Sequence, residues 1–220
     1  MKVKRVTILT GHYGSGKTSL AVNWAIRLSR TGKPVAIADL DIVNPYFRTT
    51  DHRRELEESG VRLVGSPFAG SNLDIPALPR ELYAAVEDHT VYAVLDVGGD
   101  DRGAVALGRY VPSILTENNY EMVFVTNFFR PLTKTPEAAL TVLREVEAAC
   151  GLSCTGLVNN SNLGAQTTAR DVLDTAERME RLSVLSGLPV LLTAADRRLY
   201  KELEGRLSPL LPLDFSERKS

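Results

Sequence analysis

Eight consecutive residues, Gly11-His12-Tyr13-Gly14-Ser15-Gly16-Lys17-Thr18, place glycines, a lysine and a hydroxyl in the order that a phosphate group requires. Glycine admits positive backbone dihedrals, which turn successive N–H groups inward toward phosphate oxygens, and a helix that opens at Lys17 adds its partial positive charge. In that geometry the backbone of Gly11, His12, Tyr13, Gly14, Ser15, Gly16 and Ser19 surrounds the phosphates. Lys17 bridges the outer ones and Thr18 ligates magnesium. The bland alternative is a glycine-rich turn with an exposed lysine. A strand before the loop and a helix after it argue against that alternative.

Further acids and amides follow at places where an open parallel sheet delivers side chains to one edge. Asp39 and Asp41 close the second apolar run, and alternation points them to the same side. The competing reading is a pair of solvated loop acids. Asp96 closes another apolar run and precedes Val97-Gly98-Gly99, a pattern suited to an acid that holds magnesium through water and a glycine N–H near a terminal phosphate. Later runs end in Asn127 and in Asn159-Asn160, whose amides offer both donor and acceptor to a base edge; helix capping is the rival role. Asp196 sits at another such edge, with an N-cap before Arg197 as its alternative.

The elements that must position these residues alternate regularly. Apolar runs at 6–10, 34–38, 61–65, 91–97, 122–126, 155–159 and 189–193 read as strands, several of them continuous enough to be covered on both faces. Residues 17–30 place Leu20, Ala21, Trp24 and Leu28 on one helical stripe, and Thr135-Pro136-Glu137 opens another helix with a cap, a first-turn proline and an acid. Segments 166–185 and 197–207 complete the helices, while 41–50 and the proline-bearing 66–79 read as loops. The expected fold is therefore α/β in three layers, a mostly parallel sheet of about seven strands flanked by helices. One domain over 1–213 and a frayed polar tail over 214–220 are expected.

Composition narrows the function classes. With a net charge of −1 over 220 residues, no overall pull toward nucleic acid or an anionic membrane is encoded. No window is long and apolar enough to span a bilayer, and the opening residues lack a signal core. Cys150 and Cys154 straddle a helix end and a strand start without a second pair, so free buried thiols in a cytoplasmic protein are expected rather than a metal site. His52 and His89 are lone histidines without an assigned role.

The phosphate loop, the Asp39-x-Asp41 pair, the Asp96-x-x-Gly99 element and the Asn159 region together resemble the MinD/ParA-like P-loop ATPases, a group that includes the CooC-type metallochaperone ATPases and the CobQ/CobB-type amide ligases. A less characterised MinD-like set shares the Gly-His-Tyr-Gly-Ser-Gly-Lys-Thr form. The resemblance implies that Asp41 orients the attacking water, that Asp39 and Asp96 organise magnesium, and that ATP closes a homodimer. It also implies that 42–50 and 98–103 are the switch segments. Many family members carry a first lysine in the loop that reaches into the partner's site. Here His12 replaces it and Tyr13 replaces a glycine, which leaves His12, Arg48 or Arg102 to supply the cation. The GTP-type Asn-Lys-x-Asp is replaced by Asn159-Asn160-Ser161-Asn162, so ATP is preferred.

The leading expectation is a slow, Mg-dependent ATPase that switches a protein partner. The alternatives are an ATP-dependent small-molecule kinase or ligase, with 66–79 shaping an acceptor pocket, and a nucleotide sensor without hydrolysis. Pro209 and Pro212 interrupt any C-terminal amphipathic membrane helix, and the near-neutral charge does not promise a DNA-binding surface.

Overall fold

The structure is a computed structural model that describes residues 3–40, 52–64, 80–98 and 107–214. Among them eight strands form one sheet: β1 (Val6–Thr10), β2 (Val35–Asp39), β3 (Val61–Val64), β4 (Tyr92–Asp96), β5 (Tyr120–Thr126), β6 (Gly156–Asn159), β7 (Val190–Asp196) and β8 (Leu210–Leu213). Their order is β3-β2-β4-β1-β5-β6-β7-β8 and every neighbouring pair is parallel. Parallel pairing forces each strand to return through a crossover, which is why the inner strands are apolar on both faces.

Alternation along the strands divides the core in two. Ile8, Leu95, Phe124 and Leu157 pack on one face against α5 (Pro136–Cys150) and α7 (Ala176–Ser186), through residues such as Leu143 and Leu182. Leu9, Val94, Val123 and Val158 pack on the other against α1 (Lys17–Ser29), through Leu20, Trp24 and Leu28. Short helices α2 (Arg53–Glu58), α3 (Arg80–Glu87), α4 (Val111–Glu117), α6 (Ala169–Leu173) and α8 (Tyr200–Leu203) complete the layers. The expected cap of α5 is present, since the Thr135 side chain accepts from the Ala138 N–H at 3.2 Å and Pro136 takes the first turn.

Two expectations about the helices need correction. The single helix expected over 166–185 is two, α6 and α7, because the buried Thr175 hydroxyl donates to the Val172 carbonyl at 2.6 Å and competes with the helical ladder there. Segment 197–207 begins as a 3₁₀ turn, Arg197–Leu199, and α8 stops at Leu203. An eighth strand, β8, joins the roughly seven expected. Pro212 is tolerated because β8 pairs only with β7 at the sheet edge, so its missing N–H breaks no inner ladder.

Asp214, expected at the start of a frayed tail, is instead tied down. Its carboxylate accepts from Arg197 at 2.5 and 2.7 Å and its backbone exchanges two hydrogen bonds with Asn23 of α1. At the opposite end of β1, buried Arg5 pairs with Glu117 and donates to the carbonyls of Ala85, Val86, Asp88 and Val91. One guanidinium thereby fastens the start of β1 to α4, to the last turn of α3 and to the chain between α3 and β4.

Candidate functional site

The loop between β1 and α1 needs glycine at two places for reasons visible in its surroundings. Gly11 has φ 143°, and a Cβ there would stand 2.3 Å from the Val125 carbonyl oxygen of β5. Gly16 has φ 84°, and its Cβ would stand 2.3 Å from Nδ2 of Asn160. No other residue type fits either position without displacing its neighbour. Gly16 is also the N-cap of α1. It brings no capping side chain, and no acidic residue occupies the first turn. The orphan N–H groups of that turn and the positive end of the helix dipole are thus uncompensated by α1 itself, which is the condition for an external anion.

Acids and a hydroxyl meet beside this helix start. Asp39 and Asp96 are register partners on β2 and β4, so their side chains share a sheet face. That face is the one covered by α1: Thr18 Oγ1 donates to Asp96 Oδ2 at 2.6 Å, with Asp96 fully buried and Lys17 and Thr18 nearly so. A hydroxyl and two carboxylates are hard oxygen donors, and their small number suits magnesium, which takes one or two protein carboxylates and completes its shell with phosphate and water. Among the described residues no cluster of three or more His, Cys, Asp or Glu side chains forms a metal cage of its own. The donor set therefore fits magnesium carried with a phosphate ligand rather than a resident metal ion.

The amides read as candidates for a base edge, with capping as their rival role, each hydrogen-bond within the described residues. Asn160 is buried and its Nδ2 donates to the Ser15 carbonyl at 2.8 Å. Asn159 is also buried. It donates to the Thr175 hydroxyl at 2.9 Å and accepts from the Ser161 N–H and hydroxyl at 3.1 and 2.7 Å. Neither amide is an N-cap of a helix. Asn127 links the turns after β5 and β6, donating to the Asn162 carbonyl at 3.1 Å and accepting from the Phe129 N–H at 3.0 Å. Asp196 caps the 3₁₀ turn by accepting from the Arg198 N–H at 2.8 Å and also pairs with the Arg198 side chain, as its capping alternative anticipated.

The remaining predicted residues divide by place. His12 Nδ1 donates to the Tyr13 carbonyl at 2.9 Å, Tyr13 is exposed, Ser15 is fully buried, and the Ser19 carbonyl accepts from Asn23 at 2.9 Å. Asp41, Gly99, Arg48, Arg102, the 42–50 and 99–103 segments and loop 66–79 lie outside the described residues. Cys150 and Cys154 are free and buried. Burial pushes the Cys150 thiol up to about 11 and the Cys154 thiol higher still, which keeps both protonated and poor as ligands or nucleophiles.

One residue was missed. Arg130, three residues past Asn127, reaches back across 116 positions and donates from Nε to the Gly14 carbonyl at 2.9 Å. A cation just beyond a strand end was its only signal in the sequence.

No protein-family profile matches the chain, and no curated protein sequence does. Solved structures do. The cell division protein FtsY from Thermotoga maritima matches with a TM-score of 0.58 and 17% identity, over 86% of this chain and 61% of that one. Chloroplast FtsY from Physcomitrella patens gives 0.58 and 20%, over 88% and 59%. The signal recognition particle 54 kDa protein from Aeropyrum pernix K1, in complex with GDP, gives 0.52 and 16%, over 86% and 40%. The chain spans about three fifths or less of these proteins. At such identity the likeness establishes architecture alone, a parallel α/β sheet flanked by helices.

Proposed function

We propose that this chain binds ATP with magnesium at the β1–α1 loop, hydrolyses it slowly, and acts as a nucleotide-controlled switch on a protein partner. The observation that carries the reading is the meeting of an uncapped α1 N-terminus with the buried Thr18–Asp96 hydrogen bond at the carboxyl ends of β1 and β4. The first offers N–H groups and positive potential to phosphates; the second offers oxygen to magnesium. Bound magnesium supplies neutralisation of charge on the phosphate oxygens, and Thr18, Asp96 and Asp39 are the residues that would hold it. Lys17 bridges the outer phosphates and Asp41 orients the attacking water in this reading. A cytoplasmic location and an ATP-closed homodimer belong to the same proposal.

ATP is preferred on the chemistry of the base edge. Guanine presents N–H donors that a carboxylate accepts, and the turn after β6 carries amides instead. The Asn159 amide and the Nδ2 of Asn160 are committed to the fold, and Asn162 donates to the Asn160 carbonyl at 2.7 Å while accepting from the Gly164 N–H at 3.1 Å. The FtsY from Elizabethkingia anophelis that this chain resembles was solved with GDP, so the competition must be measured directly.

The test is release of ADP against GDP by purified protein with magnesium, with molecular mass followed in parallel and Lys17→Ala as control. Slow ADP release that is lost in Lys17→Ala, with mass doubling on ATP, is expected. Turnover of GTP alone refutes the base assignment, and turnover that survives Lys17→Ala refutes the site.

A further inference from the structure

The phosphate loop is braced from outside by two side chains that its own sequence does not contain. Asn160, past the end of β6, takes the Ser15 carbonyl at 2.8 Å, and Arg130, past the end of β5, takes the Gly14 carbonyl at 2.9 Å. The two carbonyls are consecutive. In a trans peptide the C=O and the next N–H point in opposite directions, so holding a carbonyl outward fixes where the following N–H points. For Ser15 that N–H belongs to Gly16, at the helix start.

For Gly14 the following N–H is that of Ser15, which donates to the His12 carbonyl at 3.1 Å. Both ends of the Gly14–Ser15 peptide are then fixed, one by a turn and the other by a guanidinium. The guanidinium lies against the glycine, where an added Cβ would come 3.2 Å from Nε and 3.6 Å from Cζ.

Arg130 is itself held in place. Its N–H donates to the Asn127 carbonyl at 3.1 Å, and its carbonyl accepts from the Thr133 N–H at 3.1 Å. The Thr133 hydroxyl reaches that same Asn127 carbonyl at 2.7 Å. The side chain is exposed, and among the described residues it pairs with no carboxylate. Its charge therefore stands beside the loop without local neutralisation by those residues.

We propose that Arg130 is a positioning residue for phosphate binding: it locks the first half of the loop in cradle form and sets a positive charge next to it. This rests on the loop being a nucleotide site. One charge-assisted hydrogen bond held at a partly solvated position predicts a loss of about tenfold in affinity when it is removed.

The experiment is calorimetric titration of inorganic pyrophosphate and of ATP into wild type, Arg130→Ala, Arg130→Lys and Lys17→Ala, with melting temperature recorded for each. Arg130→Ala is expected to weaken both ligands about tenfold while the melting temperature moves by less than about 2 °C, because the side chain is exposed. Arg130→Lys should recover part of the affinity, since lysine restores a donor and a charge but not the planar fork. An Arg130→Ala protein that binds both ligands as tightly as wild type overturns the proposal and leaves the nucleotide reading standing. Wild type that binds neither ligand overturns both.

Discussion

Replacing Gly16 with alanine tests how the loop is built. At φ 84° an alanine costs about 1–2 kcal/mol for its left-handed backbone. Its Cβ would also stand 2.3 Å from the Asn160 amide nitrogen, which must move and release the Ser15 carbonyl. Losing that buried bond costs about a further 1–2 kcal/mol, for a total of about 2–4. Asn160→Ala removes the same bond without straining the backbone and should cost about 1–2 kcal/mol. In the double variant the amide is lost only once, so the sum of the single effects, about 3–6 kcal/mol, should exceed the measured value by about 1–2. Urea unfolding of the four proteins at constant m supplies the cycle. Additive effects would show that Asn160 and Gly16 do not meet as described, and a neutral Gly16→Ala would refute the loop conformation.

Three other expectations follow from single contacts. Thr18→Val removes the hydroxyl bonded to Asp96; ATP affinity in magnesium should fall to the value measured in EDTA, which itself should change by less than about threefold, as titration in both buffers would show. Glu117→Gln strips buried Arg5 of its counter-charge and should destabilise the fold by about 3–5 kcal/mol in urea unfolding. The Arg5 hydrogen bonds hold the Glu117 carboxyl below its ordinary range. Its stabilisation is therefore complete above the unfolded-state value and is lost as pH falls through the lower folded one, and this acid-side loss should be weaker in the variant. Finally, the two cysteines should react slowly with iodoacetamide at pH 8 in the native protein and rapidly in urea, since burial raises both thiols; fast native alkylation would contradict their placement.

The parts of the site that were legible in the sequence are those written in consecutive residues. Val6 to Thr10 shows its strand through a short, β-branched-rich and largely apolar run, and Gly11 to Thr18 shows its loop through spacing alone. The end of an apolar run placed Asp39 at the carboxyl end of its strand, but that it stands opposite Asp96 depends on β2 lying beside β4, which no local pattern states. The Arg130 contact with Gly14 and the Asn160 contact with Ser15 join residues more than a hundred positions apart, so no local pattern announced that either side chain braces the loop. In the sequence Pro212 reads only as a break in a C-terminal amphipathic helix. A proline argues against an inner strand, yet β8 lies at the edge, where its missing N–H costs nothing.

The central claim is that the loop from Gly11 to Thr18 receives nucleotide phosphates, and equilibrium binding of ATP in magnesium by wild type and Lys17→Ala tests it most directly. The account predicts saturable one-site binding by wild type and a loss on the order of 100-fold in the variant, from removal of a charged donor to phosphate. Equal affinity in the two proteins, or no binding by wild type, would contradict it.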